Sequence, residues 1–118
     1  MITKITGGRV ILENGIFENL IVYIENGIIR EITENNSLSF DQEIDAGGKY
    51  VSPGFVEIHS HGAGGCDFLD GTVEAFLTAS EKHAMHGVTT LIPTATSSEI
   101  EATIAIQKTY EEACRKNT

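Results

Sequence analysis

The chain is short of positive charge, short of cysteine and without any long apolar run. Eight Lys and Arg stand against 17 Asp and Glu, a formal net charge of −9. The few basic residues are scattered, which excludes the electrostatic footprint of a nucleic-acid binder or a polybasic membrane surface. The same acidic balance repels a phosphorylated molecule at long range, so any phosphate site would need local donors. Cys66 and Cys114 lie far apart with no CxxC spacing, and the opening MITKITGGRV lacks the uninterrupted apolar core of a secretory signal. A reduced, cytoplasmic setting is therefore expected. No segment reaches the about 20 apolar residues of a membrane-spanning helix. What remains is an ordinary globular composition, 41% hydrophobic over 118 residues.

Residues 1–50 read as all-β. Ile2, Ile5, Val10–Leu12, Leu20–Ile24 and Ile28–Ile32 are short branched-apolar runs separated by turn residues. Asn26-Gly27, between Leu20–Glu25 and Ile28–Thr33, readily takes the two positive φ angles of a type I′ turn and predicts a hairpin. Asn14-Gly15 predicts a second. Glu34–Gln42 is polar and reads as a loop, and Ala46-Gly47-Gly48 marks a turn before a strand at Tyr50–Ser52.

From Pro53 the pattern changes to alternating strands and helices. Phe55–Ile58 is a strand candidate, followed by the glycine-rich Gly62–Gly65. A helix is expected over Thr72–His86, with Thr72 as N-cap, Val73, Phe76, Leu77, Ser80 and Ala84 on one face, and Gly87 just past its end. Val88–Ala95 reads as a strand interrupted by Pro93. A second helix opens at Ser98, where Ser98 and Glu101 match a capping box, and runs to about Arg115 with Ile100, Thr103, Ile104, Gln107 and Cys114 as its buried stripe. Strand–helix alternation of this kind implies parallel strands joined by crossovers. Two such units make a quarter of an eight-stranded (β/α)8 barrel, which takes about 250 residues. The expectation is an incomplete α/β chain: the N-terminal piece of a longer enzyme.

The chemistry concentrates in Val51–Asp67, VSPGFVEIHSHGAGGCD. His59 and His61 are one residue apart at the end of a strand candidate. Side chains alternate faces in a strand, so the two imidazoles point the same way, roughly 6.6 Å apart along the backbone. Such a pair can hold a divalent cation, zinc first and iron as the alternative. Two histidines alone bind weakly, since a catalytic zinc takes about three protein ligands. Glu57 shares their face and reads as a structural carboxylate. Asp67 and Asp70 read as loop and cap residues, Cys66 as a small packing residue, and His83 and His86 as cations of a last helical turn rather than ligands. Gly62–Gly65 offers backbone N–H groups for a phosphate, although glycine runs at strand–helix connections are common without a ligand.

At these residues the chain resembles the metal-dependent amidohydrolase superfamily. The resemblance rests on Asp45-Ala46-Gly47-Gly48 and on Val51-x-Pro53-Gly54-Phe55-Val56-Glu57-x-His59-x-His61. Within the superfamily, His61–Phe68 and His86–Thr94 are similar to the N-acetylglucosamine-6-phosphate deacetylases. The resemblance implies that residues 1–53 supply the N-terminal part of a small β-sandwich domain, and 54–118 the first two βα units of a TIM-type barrel. It implies a hydrolase that removes the acetyl group of N-acetylglucosamine 6-phosphate, giving glucosamine 6-phosphate and acetate, with His59 and His61 as metal ligands. The substrate would be a small sugar phosphate, with no nucleic-acid or membrane partner, and a homo-oligomer is the expected state. In that family the proton-transferring aspartate, a ligating glutamate and two further histidines come from later strands. The 118-residue chain alone is therefore expected to be inactive and, with barrel-strand edges unpaired, to self-associate. Two other readings stay open: another amidohydrolase, such as a deaminase or cyclic-amide hydrolase, and a non-catalytic small α+β interaction domain.

Overall fold

The structure is a computed structural model and describes residues 1–117. It is a mixed α/β chain whose residues group into two compact units, Met1–Pro53 and the remainder from Gly54 onward. Among the described residues no helix is long and apolar enough to cross a membrane.

The first unit holds β1 (Ile2–Thr6), β2 (Arg9–Leu12), β3 (Gly15–Phe17), β4 (Ile21–Glu25), β5 (Ile28–Thr33), β6 (Gln42–Asp45) and β7 (Tyr50–Val51). These form a four-stranded sheet, β5-β4-β1-β6, and a three-stranded one, β3-β2-β7. Both expected hairpins are present. At the tip of β4–β5, Asn26 and Gly27 have φ of 52° and 82°, so a tight turn joins the strands, and the register shifts by one residue further along, between Tyr23 and Ile24. The β2–β3 hairpin closes on the Leu12↔Gly15 pair.

One outcome differs from the sequence reading: Gln42 opens a strand instead of closing a loop. Its four residues are all exposed, so they carry no burial pattern. They are ordered by parallel pairing to β1, in register Lys4↔Glu43 and Ile5↔Ile44. Register also places Glu31, Tyr23, Lys4 and Glu43 side by side. Lys4 is buried, and its Nζ lies 2.7 Å from Glu43 Oε1 and 4.6 Å from the centre of the Phe40 ring. A buried ammonium without such a partner would carry a heavy desolvation cost.

The second unit contains β8 (Phe55–Ser60), the short strands β9 (Gly62–Ala63) and β10 (Cys66–Asp67), a 3-10 turn at Phe68–Asp70, α1 (Val73–Met85), β11 (Val88–Pro93) and α2 (Ile100–Lys116). β8 and β11 pair in parallel, joined through β9, β10 and α1. The core of this unit is Phe68, Phe76, Ala79 and Ala113, with Ala63, Val73, Leu91 and Ile106 packed around it. Phe68 and Phe76 stack at 5.0 Å, and Tyr110 of α2 tilts against Phe76 at 5.6 Å. Phe55, Val56, Ile58 and Ile92 are largely exposed on the two-stranded sheet.

The helices correct the expected faces. The Thr72 hydroxyl caps α1 as expected, accepting from Ala75 N at 3.1 Å, and Gly87 follows the last turn. The buried side of α1 is Ala75, Phe76 and Ala79, with Phe76 and Ala79 packed in the core against Phe68 and Ala113, while Ala84 is exposed. α2 begins at Ile100 with Glu99 at its N-cap and no side-chain cap; the expected capping box does not form because the Ser98 hydroxyl bonds Thr103 Oγ1 at 2.9 Å. Its inward side is Ile106, Thr109 and Ala113, one step around from the expected stripe, and Ile100 and Ile104 are exposed. β11 ends at Pro93 rather than Ala95. Pro93 pairs with Ser60 and closes the strand instead of interrupting it, since it has no N–H to extend the ladder.

Candidate metal centre

His59 is the penultimate residue of β8 and His61 lies immediately beyond the strand's end. Their rings stand together, centroids 5.3 Å apart and planes at 81°. The pairing follows from alternation: Ser60, between them, points to the opposite side and reaches α1.

His61 is held from several directions. Its Nδ1 lies 2.9 Å from the Thr94 carbonyl oxygen. A carbonyl only accepts, so Nδ1 carries the proton, and in the neutral ring the Nε2 lone pair is left free. Metal-ligating histidines are commonly oriented this way. The His61 carbonyl accepts from Phe68 N at 2.9 Å, and Thr94 N donates to the Ser60 carbonyl at 2.8 Å. His59 is more exposed; its backbone N–H donates to Glu57 Oε1 at 2.8 Å. That bond occupies the Glu57 carboxylate locally, in keeping with a structural role.

The expected loop and cap residues are where the sequence puts them. Asp67 Oδ1 accepts from Leu69 N at 2.8 Å, and Asp70 Oδ2 accepts from Asp67 N at 2.9 Å, a reciprocal cap on the 3-10 turn. Gly62 and Ala63 pair with Asp67 and Cys66, so this glycine run forms a small hairpin with Gly64 and Gly65 at its turn. Cys66 is half-buried.

Sequence reasoning missed one contact of His83. It sits in the last turn of α1 as expected, and its Nε2 also lies 2.9 Å from Ser60 Oγ. Nothing local signals this contact, because the two residues are 23 positions apart. A cleft of about 410 Å³ lies on the helix side of β11, between α1 and α2, and the histidine pair does not line it.

The donor types suit a divalent cation: two neighbouring imidazoles set edge to face, one with its tautomer fixed so that Nε2 is available. Among the described residues no third His, Cys, Asp or Glu converges with them to make a three-ligand group.

Residues 42–112 match the Amidohydrolase family. A dihydroorotase of Trichlorobacter lovleyi is 48% identical over 59 residues, covering 48% of this chain and 14% of that protein. The N-acetylglucosamine-6-phosphate deacetylase of Pasteurella multocida has the same fold over 98% of this chain and 31% of its own, with a TM-score of 0.87 at 20% identity. The L-hydantoinase of Arthrobacter aurescens superposes with a TM-score of 0.66 over 91% of this chain and 24% of its own, at 26% identity. The chain thus spans a third or less of the length of these proteins.

Proposed function

Since the chain belongs to the amidohydrolase family, matched over residues 42–112, we propose that it is the N-terminal segment of a metal-dependent hydrolase of C–N amide bonds. In this reading residues 1–53 are the N-terminal part of a small β-sandwich domain and 54–118 the first two βα units of a (β/α)8 barrel. The parallel β8–β11 pair supports this, as do Phe55, Val56, Ile58 and Ile92, apolar side chains exposed on a sheet that further strands and helices would cover.

The observation that carries the reading is the imidazole pair: His59 and His61 on one side of their strand, 5.3 Å apart, with His61 Nδ1 bonded to a carbonyl. These two residues would hold the cation, zinc or iron. When bound, the cation supplies Lewis-acid polarisation of the amide carbonyl and acidifies water. The contribution of this chain is orientation. The Thr94 carbonyl holds His61 Nδ1 and leaves Nε2 as the free ring nitrogen, and the Phe68 N–H fixes the His61 main chain. The proton-transferring carboxylate belongs to later segments, so the 118-residue chain by itself is expected to be inactive.

The substrate we propose is N-acetylglucosamine 6-phosphate, deacetylated to glucosamine 6-phosphate and acetate. It is supported by the His61–Phe68 and His86–Thr94 stretches, whose residues resemble that family of deacetylases. A second reading, a cyclic-amide hydrolase, is favoured by the 48% identity with a dihydroorotase over 59 residues. Assaying the complete polypeptide separates them. Acetate release from N-acetylglucosamine 6-phosphate supports the first. Ring opening of dihydroorotate without acetate release refutes it and supports the second.

A further inference from the structure

The reach of α1 toward the histidine pair gives this helix a part in the centre that the two imidazoles alone do not explain. Ser60 lies between His59 and His61, and its hydroxyl has three polar neighbours: the Gly62 carbonyl oxygen at 3.1 Å, Gly62 N at 3.3 Å and His83 Nε2 at 2.9 Å. A hydroxyl has one proton to give. If it goes to the Gly62 carbonyl, the other two neighbours must both donate, and each can: the Gly62 amide N–H, and His83 as its Nε2–H form. The reverse choice, Ser60 donating to His83, leaves its oxygen facing the Gly62 carbonyl with no proton between them.

From this network we infer that His83 is a positioning residue for the metal-binding pair, acting through Ser60. His83 donates to Ser60 Oγ, and Ser60 Oγ holds both polar groups of Gly62. The chain is thereby clamped on either side of His61, from the face opposite the imidazoles. His83 and Ser60 are both partly buried, so the bond is shielded from competing water. The anchor is firm because α1 is fixed by its Thr72 cap and by Phe76 and Ala79 in the core. The inference rests on the proposed metal site, and outer contacts of this kind typically alter metal affinity by about 10–100-fold.

The test is zinc affinity of the complete polypeptide, measured by chelator competition, together with the visible absorption spectrum of its cobalt-loaded form. His83→Leu and Ser60→Ala are each expected to weaken zinc about tenfold and to shift the cobalt bands, with no further loss when the two are combined. His83→Gln, whose side-chain amide can donate to Ser60 Oγ, is expected to recover most of the affinity. His86→Gln, at the same helix end but exposed, is expected to match the wild type. A loss equal in His83→Leu and His83→Gln, or affinity and spectra unchanged in both His83→Leu and Ser60→Ala, would overturn the inference while leaving the metal site intact. His59→Ala and His61→Ala distinguish the deeper failure: if neither weakens zinc, the metal-site reading falls and this one with it.

Discussion

Gly62→Ala tests the local architecture that holds His61 more sharply than replacement of any buried side chain. Gly62 follows His61 directly and has a φ of 152°, a region L-residues rarely enter. A Cβ there would overlap the Cys66 carbonyl oxygen and sit 2.9 Å from Asp67 Cα and 3.0 Å from Cys66 C, all backbone atoms of the opposing strand. Two costs follow: about 1–3 kcal/mol for the backbone conformation and about 1–3 kcal/mol for overlap that only main-chain movement relieves. Gly65, at the turn of the same hairpin, is the internal control. Its φ is 84°, but a Cβ there meets nothing within 4 Å, so Gly65→Ala incurs the conformational cost alone. The difference between the variants therefore isolates the overlap. It should open the β9–β10 pairing and the bond from Phe68 N to the His61 carbonyl. Hydrogen exchange over a peptide spanning residues 61–70 reads this opening. At about 1.4 kcal/mol per tenfold, Gly62→Ala should exchange about 5- to 150-fold faster than Gly65→Ala. Equal exchange in the two variants would refute the close packing from which the effect is worked out.

Three further outcomes are expected. Thr72→Ala removes the bond to Ala75 N and should destabilise α1 by about 1 kcal/mol, seen as faster amide exchange in the first turn of the helix. Phe76→Ala should cost about 3–5 kcal/mol, because the ring stacks on Phe68 and contacts Tyr110 in the core; a denaturant midpoint equal to the wild type's would contradict that packing. The Glu43 carboxyl is held below the ordinary glutamate range by its hydrogen bond to the Lys4 ammonium. The folded state thus favours the ionised form, so this contribution is complete above the unfolded-state pKa of about 4.3 and is lost as pH falls through the lower folded-state value. Thermal melts on the acid side should accordingly fall less steeply for Glu43→Gln than for the wild type.

Where the sequence spoke through local chemistry, the structure agrees with it. Asn26-Gly27 turns because those two residues tolerate positive φ, and Thr72 caps because its hydroxyl needs only the amide three positions on. Asp67 and Asp70 cap their turn for the same reason. Where the determinant is remote, sequence was silent or misleading. Gln42–Asp45 has no burial pattern and becomes a strand only by pairing with β1. Ser98 and Glu101 fit a capping pattern, yet the Ser98 hydroxyl finds Thr103 instead. The stripe on α2 lies one step around from the apolar pattern because Ala113 and Ile106 meet the Phe68–Phe76 core, while Ile100 and Ile104 find no such partner there and stay exposed. At the candidate centre, the spacing of His59 and His61 was enough to put both rings on one side. The carbonyl that fixes the His61 tautomer and the helix histidine behind Ser60 come from 33 and 23 residues away, and only the fold joins them.

The most direct test of the metal-centre proposal is X-ray absorption at the zinc edge of the complete polypeptide, compared with its His59→Ala/His61→Ala variant. Two imidazole ligands fewer in the variant, or loss of the bound zinc, is the predicted result. An unchanged imidazole count with zinc still bound would contradict it.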